Sequence, residues 1–127
     1  MAKKYVKTSN APAPLGPYTQ GIQAGNLLFV SGQGPIDPKT GKMLEANIEK
    51  QTHQTLQNVK AIVEEAGFSL ADVVKVSIFL KNALDFQKVN EIYKTYFQNN
   101  PPTRTTVQAD FVVSGMLIEV DVIACRD

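Results

Sequence analysis

The side chain best suited to chemistry in this chain is Arg104. Only two arginines accompany eleven lysines, and the other, Arg126, is penultimate, where a chain end is expected to fray. Arg104 lies in Asn99-Asn100-Pro101-Pro102-Thr103-Arg104-Thr105-Thr106-Val107, between a stiff Pro-Pro turn and a β-prone run. A lysine is a generic solubilising cation, whereas a planar guanidinium forks onto a carboxylate or phosphate in a way lysine cannot copy. Held by a rigid turn, Arg104 is either such an anion clamp or a surface residue capping a loop.

Glu119 is the second candidate. It falls in the middle of Ile118-Glu119-Val120-Asp121-Val122-Ile123-Ala124, an alternating strand pattern. A carboxylate on a partly buried strand face is costly unless it is paired, hydrogen-bonded or functional. It is either a reactive group or a structural partner for Lys75, Lys81 or Arg104, and Asp121 on the same face makes it less singular. Tyr18 follows Leu15-Gly16-Pro17, so a constrained loop presents its phenol; an ordinary half-buried loop tyrosine is the plainer reading. Ser31-Gly32-Gln33-Gly34-Pro35 closes a strand with two glycines, which permits close backbone approach to a ligand or simply makes a turn or bulge. The single His53 stands among polar helix neighbours and reads as solvated, and the single Cys125 reads as packing. No metal-ligand spacing, Ser-His-Asp set, paired carboxylates or phosphate-binding glycine loop is present in the sequence.

These residues need elements to hold them. Helical spacing of Ile48, Thr52, Leu56, Val59, Ile62 (or Val63) and Ala66 predicts a helix from Asn47 to Ala66, stopped by Gly67. A second helix is expected from Asp85, as N-cap, to Asn99, with Phe86, Val89, Tyr93 and Phe97 (or Tyr96) as its stripe; Pro101-Pro102 forbids continuation. Val74 to Lys81 alternates, with Val74, Val76, Ile78 and Leu80 on one face and Lys75, Ser77, Phe79 and Lys81 on the other. Ile118 to Cys125 alternates likewise. Thr19–Gln23 and Leu27–Ser31 suggest a hairpin around Gly25-Asn26, and Thr105–Ala109 a further strand. The order β-β-α-β-α-β-β, without a repeated βα unit, points to an α+β fold with two helices on one face of a mixed sheet. The other face, carrying Phe79, Ile123 and Cys125, is too apolar to stay wet and is expected to be covered by a second subunit.

Composition narrows the function classes. A chain of 127 residues makes one domain, residues 1–127, large enough for its own core. Thirteen basic and twelve acidic residues leave a net charge of +1, which argues against a nucleic-acid or anionic-membrane partner. One cysteine, no apolar run of membrane-spanning length and no signal-peptide core lead to the expectation of a cytoplasmic protein.

The segments Gly16-Pro17-Tyr18-Thr19-Gln20, Ser31-Gly32-Gln33, Gln57 to Val63, Val89-Asn90-Glu91-Ile92-Tyr93, Pro102 to Val107 and Ile118 to Ala124 occur in an order that resembles the RidA (YjgF/YER057c/UK114) family of reactive-intermediate deaminases, over essentially the whole chain. The resemblance implies a chorismate-mutase-like α+β fold assembled as a homotrimeric barrel, with active sites in clefts between subunits. It implies hydrolysis of 2-imino acids such as 2-iminobutanoate and 2-iminopropanoate, or their enamine tautomers, to 2-keto acids and ammonia, with no cofactor or metal. On that pattern Arg104 clamps the substrate carboxylate. Glu119, with the main-chain carbonyl of Thr106, holds the attacking water, and Tyr18 from a neighbouring subunit borders the imine; Ser31, Gly32 and Asn90 complete the pocket. Two departures stand out: Thr106 where many relatives carry Cys, and Gly34 where a larger apolar residue is usual, which is expected to loosen or enlarge the pocket wall. Two rival activities are an endoribonuclease or translation inhibitor, as relatives have been described, and a non-catalytic carboxylate-binding or chaperone-like module.

Overall fold

A computed structural model describes residues 2–127. Six strands form one mixed sheet: β1 (Lys3–Val6), β2 (Gly21–Ala24), β3 (Leu27–Gln33), β4 (Val73–Leu80), β5 (Thr103–Gln108) and β6 (Ile118–Cys125), in the spatial order β1-β2-β3-β6-β4-β5. All neighbours are antiparallel except β4 and β5, which run parallel through the α2 crossover. Helix α1 (Ile48–Glu65) starts at Asn47, whose side chain accepts from the Lys50 N–H at 3.0 Å; α2 is Phe86–Tyr96. The core lies between helices and sheet. Leu28 and Val30 of β3, Val76, Ile78 and Leu80 of β4, and Ile118, Val120, Val122 and Ala124 of β6 all meet Leu56, Val59, Ile62 and Val63 of α1 there. Alternation thus assigns one sheet face to the helices and leaves the other open.

The α+β architecture is as the periodicity predicted, with four local differences. Strand β1, polar apart from Val6, lacks a pattern that distinguishes it from a loop, and it exists because β2 offers an edge to pair with. Helix α2 ends at Tyr96 rather than Asn99; Phe97 caps it, and Asn100 adopts φ 47°, a left-handed conformation that breaks the path before the prolines. Asp85 holds the N-cap position of that helix, but its side chain makes no capping hydrogen bond. A short 3₁₀ turn, Ala83–Asp85, precedes it, capped by Asn82 accepting from the Leu84 N–H at 2.9 Å. Finally, the β4–β6 register slips between Val73 and Lys75, so Val73 takes the inward place and Val74 points outward, 45% exposed.

The penultimate residue is not frayed. The Arg126 guanidinium stacks 4.3 Å from the centre of the Phe68 ring and donates to the Gly67 carbonyl just past α1, while its N–H donates to the Asn26 carbonyl at 3.0 Å.

Candidate functional site

Strand β3 pairs Val30 with Val122 and Gln33 with Val120, so one extra residue is accommodated at Ser31-Gly32. This bulge creates room for Glu119. A Cβ at residue 32 would collide with the Glu119 carboxylate, so only glycine lets the side chain lie across the bulge. The carboxylate borders a cavity of about 70 Å³ together with Tyr18, Gly32, Gly34, Ile36 and Met116. The loop carrying Tyr18 is tied to the bulge: Ser31 Oγ donates to the Thr19 carbonyl at 2.6 Å and the Ser31 N–H to the Gln20 carbonyl at 2.9 Å. Ser31 is therefore a brace for the wall. Among the described residues Glu119 forms no ion pair. Lys81 is engaged with Asp110 at 2.9 Å, and the Lys75 ammonium donates to Ser77 Oγ at 3.2 Å. Burial, and then the like charge of Asp121, raise its pKa above the ordinary carboxylate value.

Arg104 occupies a different place. It pairs in register with Val76, whose side chain is wholly buried beneath the helices, so Arg104 points to the helix side of the sheet edge. There its guanidinium lies 4.7 Å from the Tyr93 ring centre and 5.5 Å from that of Phe86. Such stacking contributes about 0.5–2 kcal/mol and leaves the N–H edge of the fork free. Phe86, Asn90 and Tyr93 recur at i, i+4, i+7 and so share that face of α2. Asn90 Oδ1, the Tyr93 hydroxyl and Thr106 Oγ1 are each buried and find no hydrogen-bond partner among the described residues. Burial raises the Tyr93 phenol pKa, opposed by Arg104.

The main chain of Thr106 is also available. The Ala109 N–H donates to the Leu80 carbonyl at 2.9 Å, so the alternate residues 107, 105 and 103 turn their peptide groups toward β4. Those of Arg104, Thr106 and Gln108 face the unpaired edge of the sheet, because β5 is an edge strand.

Two unpaired groups of opposite charge thus stand on one chain without meeting. Glu119 is opposite Phe79 on the open face, and Arg104 is opposite Val76 on the helix face. With β4 between them and three residues of offset, their Cα atoms are roughly 14 Å apart by strand geometry. Tyr18 shares the Glu119 cavity within the protomer, and it is Arg104, Thr106 and Asn90 that form the separate group. Gly34 does not enlarge the wall, because a Cβ there would lie 2.6 Å from Met116 Sδ: the methionine already fills the place. His53 is exposed, its Nδ1 3.2 Å from the Tyr96 hydroxyl, and lies outside both groups.

The comparisons with known proteins decide the family. Residues 8–126 match the family model described as Endoribonuclease L-PSP. A curated relative from Salmonella typhimurium, named 2-iminobutanoate/2-iminopropanoate deaminase, is 42% identical over 97% of this chain and 98% of its own length. The chain belongs to the RidA family. A RutC family protein of Pyrococcus horikoshii is 49% identical over 98% of this chain and 99% of its own. The solved structure of Escherichia coli TdcF with bound serine superposes on this RidA chain with TM-score 0.93 at 38% identity, covering 98% and 99% of the two chains.

Sequence reasoning missed the residues that fix the backbone around the cavity. Gln51, wholly buried in α1, donates to the carbonyls of Gly115 (2.9 Å), Glu45 (3.1 Å) and Leu44 (3.3 Å) and accepts from the Leu117 N–H at 2.8 Å. Asn58 donates to the Gly34 and Ile36 carbonyls, both at 2.9 Å. Gln20 ties down the segment before Tyr18 through Thr8 and Pro12. The available signal was spacing: Gln51, Thr55 and Asn58 recur at i, i+4, i+7 directly beside the apolar stripe, as a buried polar row would.

Proposed function

We propose that this protein hydrolyses 2-imino acids, in the class of 2-iminobutanoate and 2-iminopropanoate, to 2-keto acids, in a cleft between two copies of the chain. The observation that carries the reading is the separation of its two unpaired charges. Among the described residues the Glu119 carboxylate has no cation in its cavity and the Arg104 fork at the sheet edge has no anion, and their places on opposite faces keep them apart within one protomer. Closed cyclic association, a homotrimer in this reading, sets the β5 edge of one copy against the cavity of the next. The half-exposed open face, with Phe29 at 44% and Val107 at 44% exposed, supports the same contact.

In this arrangement Arg104 binds the substrate carboxylate as a bidentate pair and is pre-oriented by its Tyr93 and Phe86 platform. Asn90 lies beside it. Water held between Glu119 and the Thr106 carbonyl attacks C2 of the protonated imine. The new C–O bond forms as a water proton passes to Glu119, and that proton moves on to the carbinolamine nitrogen. The C–N bond then breaks, its electrons leaving with ammonia, and the hydroxyl oxygen closes the carbonyl as its proton passes to Glu119, from which the departing ammonia takes it as ammonium. A carboxyl whose pKa lies above the ordinary range is the better shuttle for both transfers. Tyr18, Ser31 and Gly32 form the wall on the Glu119 side. Thr106 serves through its backbone, so the family's common thiol is dispensable.

The test couples the protein to a threonine dehydratase acting on threonine. Keto acid is expected to appear faster than by spontaneous hydrolysis, and Arg104→Ala to abolish the acceleration. No acceleration by the unaltered protein, or full activity in Arg104→Ala, would refute the reading. RNA cleavage that survives Arg104→Ala would favour the endoribonuclease alternative instead.

A further inference from the structure

The cavity beside Glu119 has a wall built in an unusual way. Gly34 contributes no side chain, and its place is taken from across the cavity by Met116, whose Sδ and Cε would lie 2.6 and 3.4 Å from a Cβ at residue 34. Both residues line the cavity, and Met116 is only 5% exposed. The backbone around them is fixed. The Gly34 carbonyl is held by Asn58, and Gln51 clamps Gly115 and Leu117 on either side of Met116. A side chain with three rotatable bonds and no branch therefore sits in a rigid frame. The neighbouring lining is apolar, with Pro12, Ala13, Ile36 and Val113. Of its two amides, Gln20 is spent on the 8–12 segment, and Gln33 gives one N–H to the Ser31 carbonyl at 3.2 Å.

We propose that Met116, seated in the space left by Gly34, is the specificity-determining residue that sets how long an aliphatic substrate side chain the cavity accepts. The inference rests on the proposed deaminase site and narrows its substrates to 2-imino acids with unbranched, uncharged side chains. Away from Glu119, Tyr18 and Gln33, a polar side chain entering this cavity would give up its water against apolar lining, where an aliphatic one loses nothing. On the Met116 side a longer aliphatic one displaces the thioether tip.

Two substitutions move the wall in opposite directions. Gly34 does not have a left-handed φ, so Gly34→Ala is free of backbone strain. The added methyl displaces the far end of Met116 into the cavity. Met116→Val shortens the plug and widens it. The imines of 2-aminobutyrate, norvaline and norleucine, generated in place by an amino-acid oxidase, supply a graded series. The ratio of kcat/KM for the norleucine imine over the 2-aminobutyrate imine is expected to fall roughly tenfold in Gly34→Ala and to rise roughly tenfold in Met116→Val, the size of a one-methylene effect in an apolar pocket. Affinities of the corresponding 2-keto acids, measured by calorimetry, are expected to shift in the same order, and melting curves establish that each variant is folded. Should one single variant not fold, the Gly34→Ala/Met116→Val double variant is read in its place and should return the ratio toward the unaltered value. Ordered keto-acid binding without any imine turnover would refute the deaminase reading while upholding the cavity assignment. Ratios and affinities that fail to separate by chain length between the variants would overturn the role of Met116.

Discussion

Replacing Gln51 with methionine isolates the contribution of the buried polar row. The two side chains have similar length and shape, so the substitution leaves little cavity and removes the hydrogen bonds. Four contacts are lost, but they are unequal. Nε2 has two protons to share among three carbonyls, so the 2.9 Å contact to Gly115 and the 2.8 Å contact from the Leu117 N–H dominate. Each buried backbone group left without a partner costs about 1–3 kcal/mol, and a thioether offers only weak acceptance in return. The expected loss is therefore roughly 3–4 kcal/mol, against a total stability of about 5–15 kcal/mol for a domain. At this chain length the loss corresponds to a fall in Tm of roughly 10–15 °C. Urea denaturation at one fixed protein concentration reads it directly, because the proposed association would contribute to the apparent stability. Gln57→Met serves as the control: Gln57 is on the exposed side of the same helix, bonded only to the Tyr96 hydroxyl, and a change within about 0.5 kcal/mol is expected. If Gln51→Met also stayed within that range, the reasoning that α1 holds the cavity wall through its polar row would be wrong.

Three further outcomes follow from the site. Glu119 has its pKa raised in the fold, so it favours the protonated form there; folding stability contributed by this group is full below the unfolded pKa and falls as pH rises through the folded one. Glu119→Gln should thus be more stable than the unaltered protein at neutral pH in denaturant titrations, yet inactive, and kcat/KM of the unaltered protein should rise with pH along an acid limb above the ordinary carboxylate range. A stability curve identical in the two proteins across acid pH would contradict this. Arg104→Lys keeps the charge but loses the fork and the stacking, and should lose at least roughly tenfold in kcat/KM with imine substrates. Thr106→Val removes the hydroxyl but keeps the carbonyl, and since Thr106 Oγ1 has no partner it should retain activity within about threefold and stability within about 1 kcal/mol; a collapse of activity would transfer the role from backbone to side chain.

How much of this was legible in the residues depended on the kind of signal each carried. Strand β6 and most of β4 were readable because alternation of Ile118, Val120, Val122 and Ala124 is dictated by a one-sided core. Val74 was misassigned because a bulge shifts parity without changing composition, and β1 was missed because an edge strand of mostly polar residues has no period to read. At the site, the turn context of Arg104 and the mid-strand place of the Glu119 carboxylate made them visible as candidates. Their being on opposite faces was not visible, because it follows from the pairing of Arg104 with Val76 through a parallel β5, and strand order is a long-range property. The Gly34–Met116 exchange was half visible. The missing side chain shows in the sequence, whereas the residue that fills its place is brought there only by the fold.

The central claim is that Arg104 and Glu119 act together only across two copies of the chain. Arg104→Ala and Glu119→Gln proteins, each inactive alone, are mixed in equal amounts, dissociated and reassembled, and assayed for imine hydrolysis. In a cyclic assembly formed at random, about a quarter of the interfaces pair an intact Arg104 with an intact Glu119, whatever the ring size. Recovery of about a quarter of the unaltered activity is expected. A mixture as inactive as its components, after assembly has been verified, would contradict it.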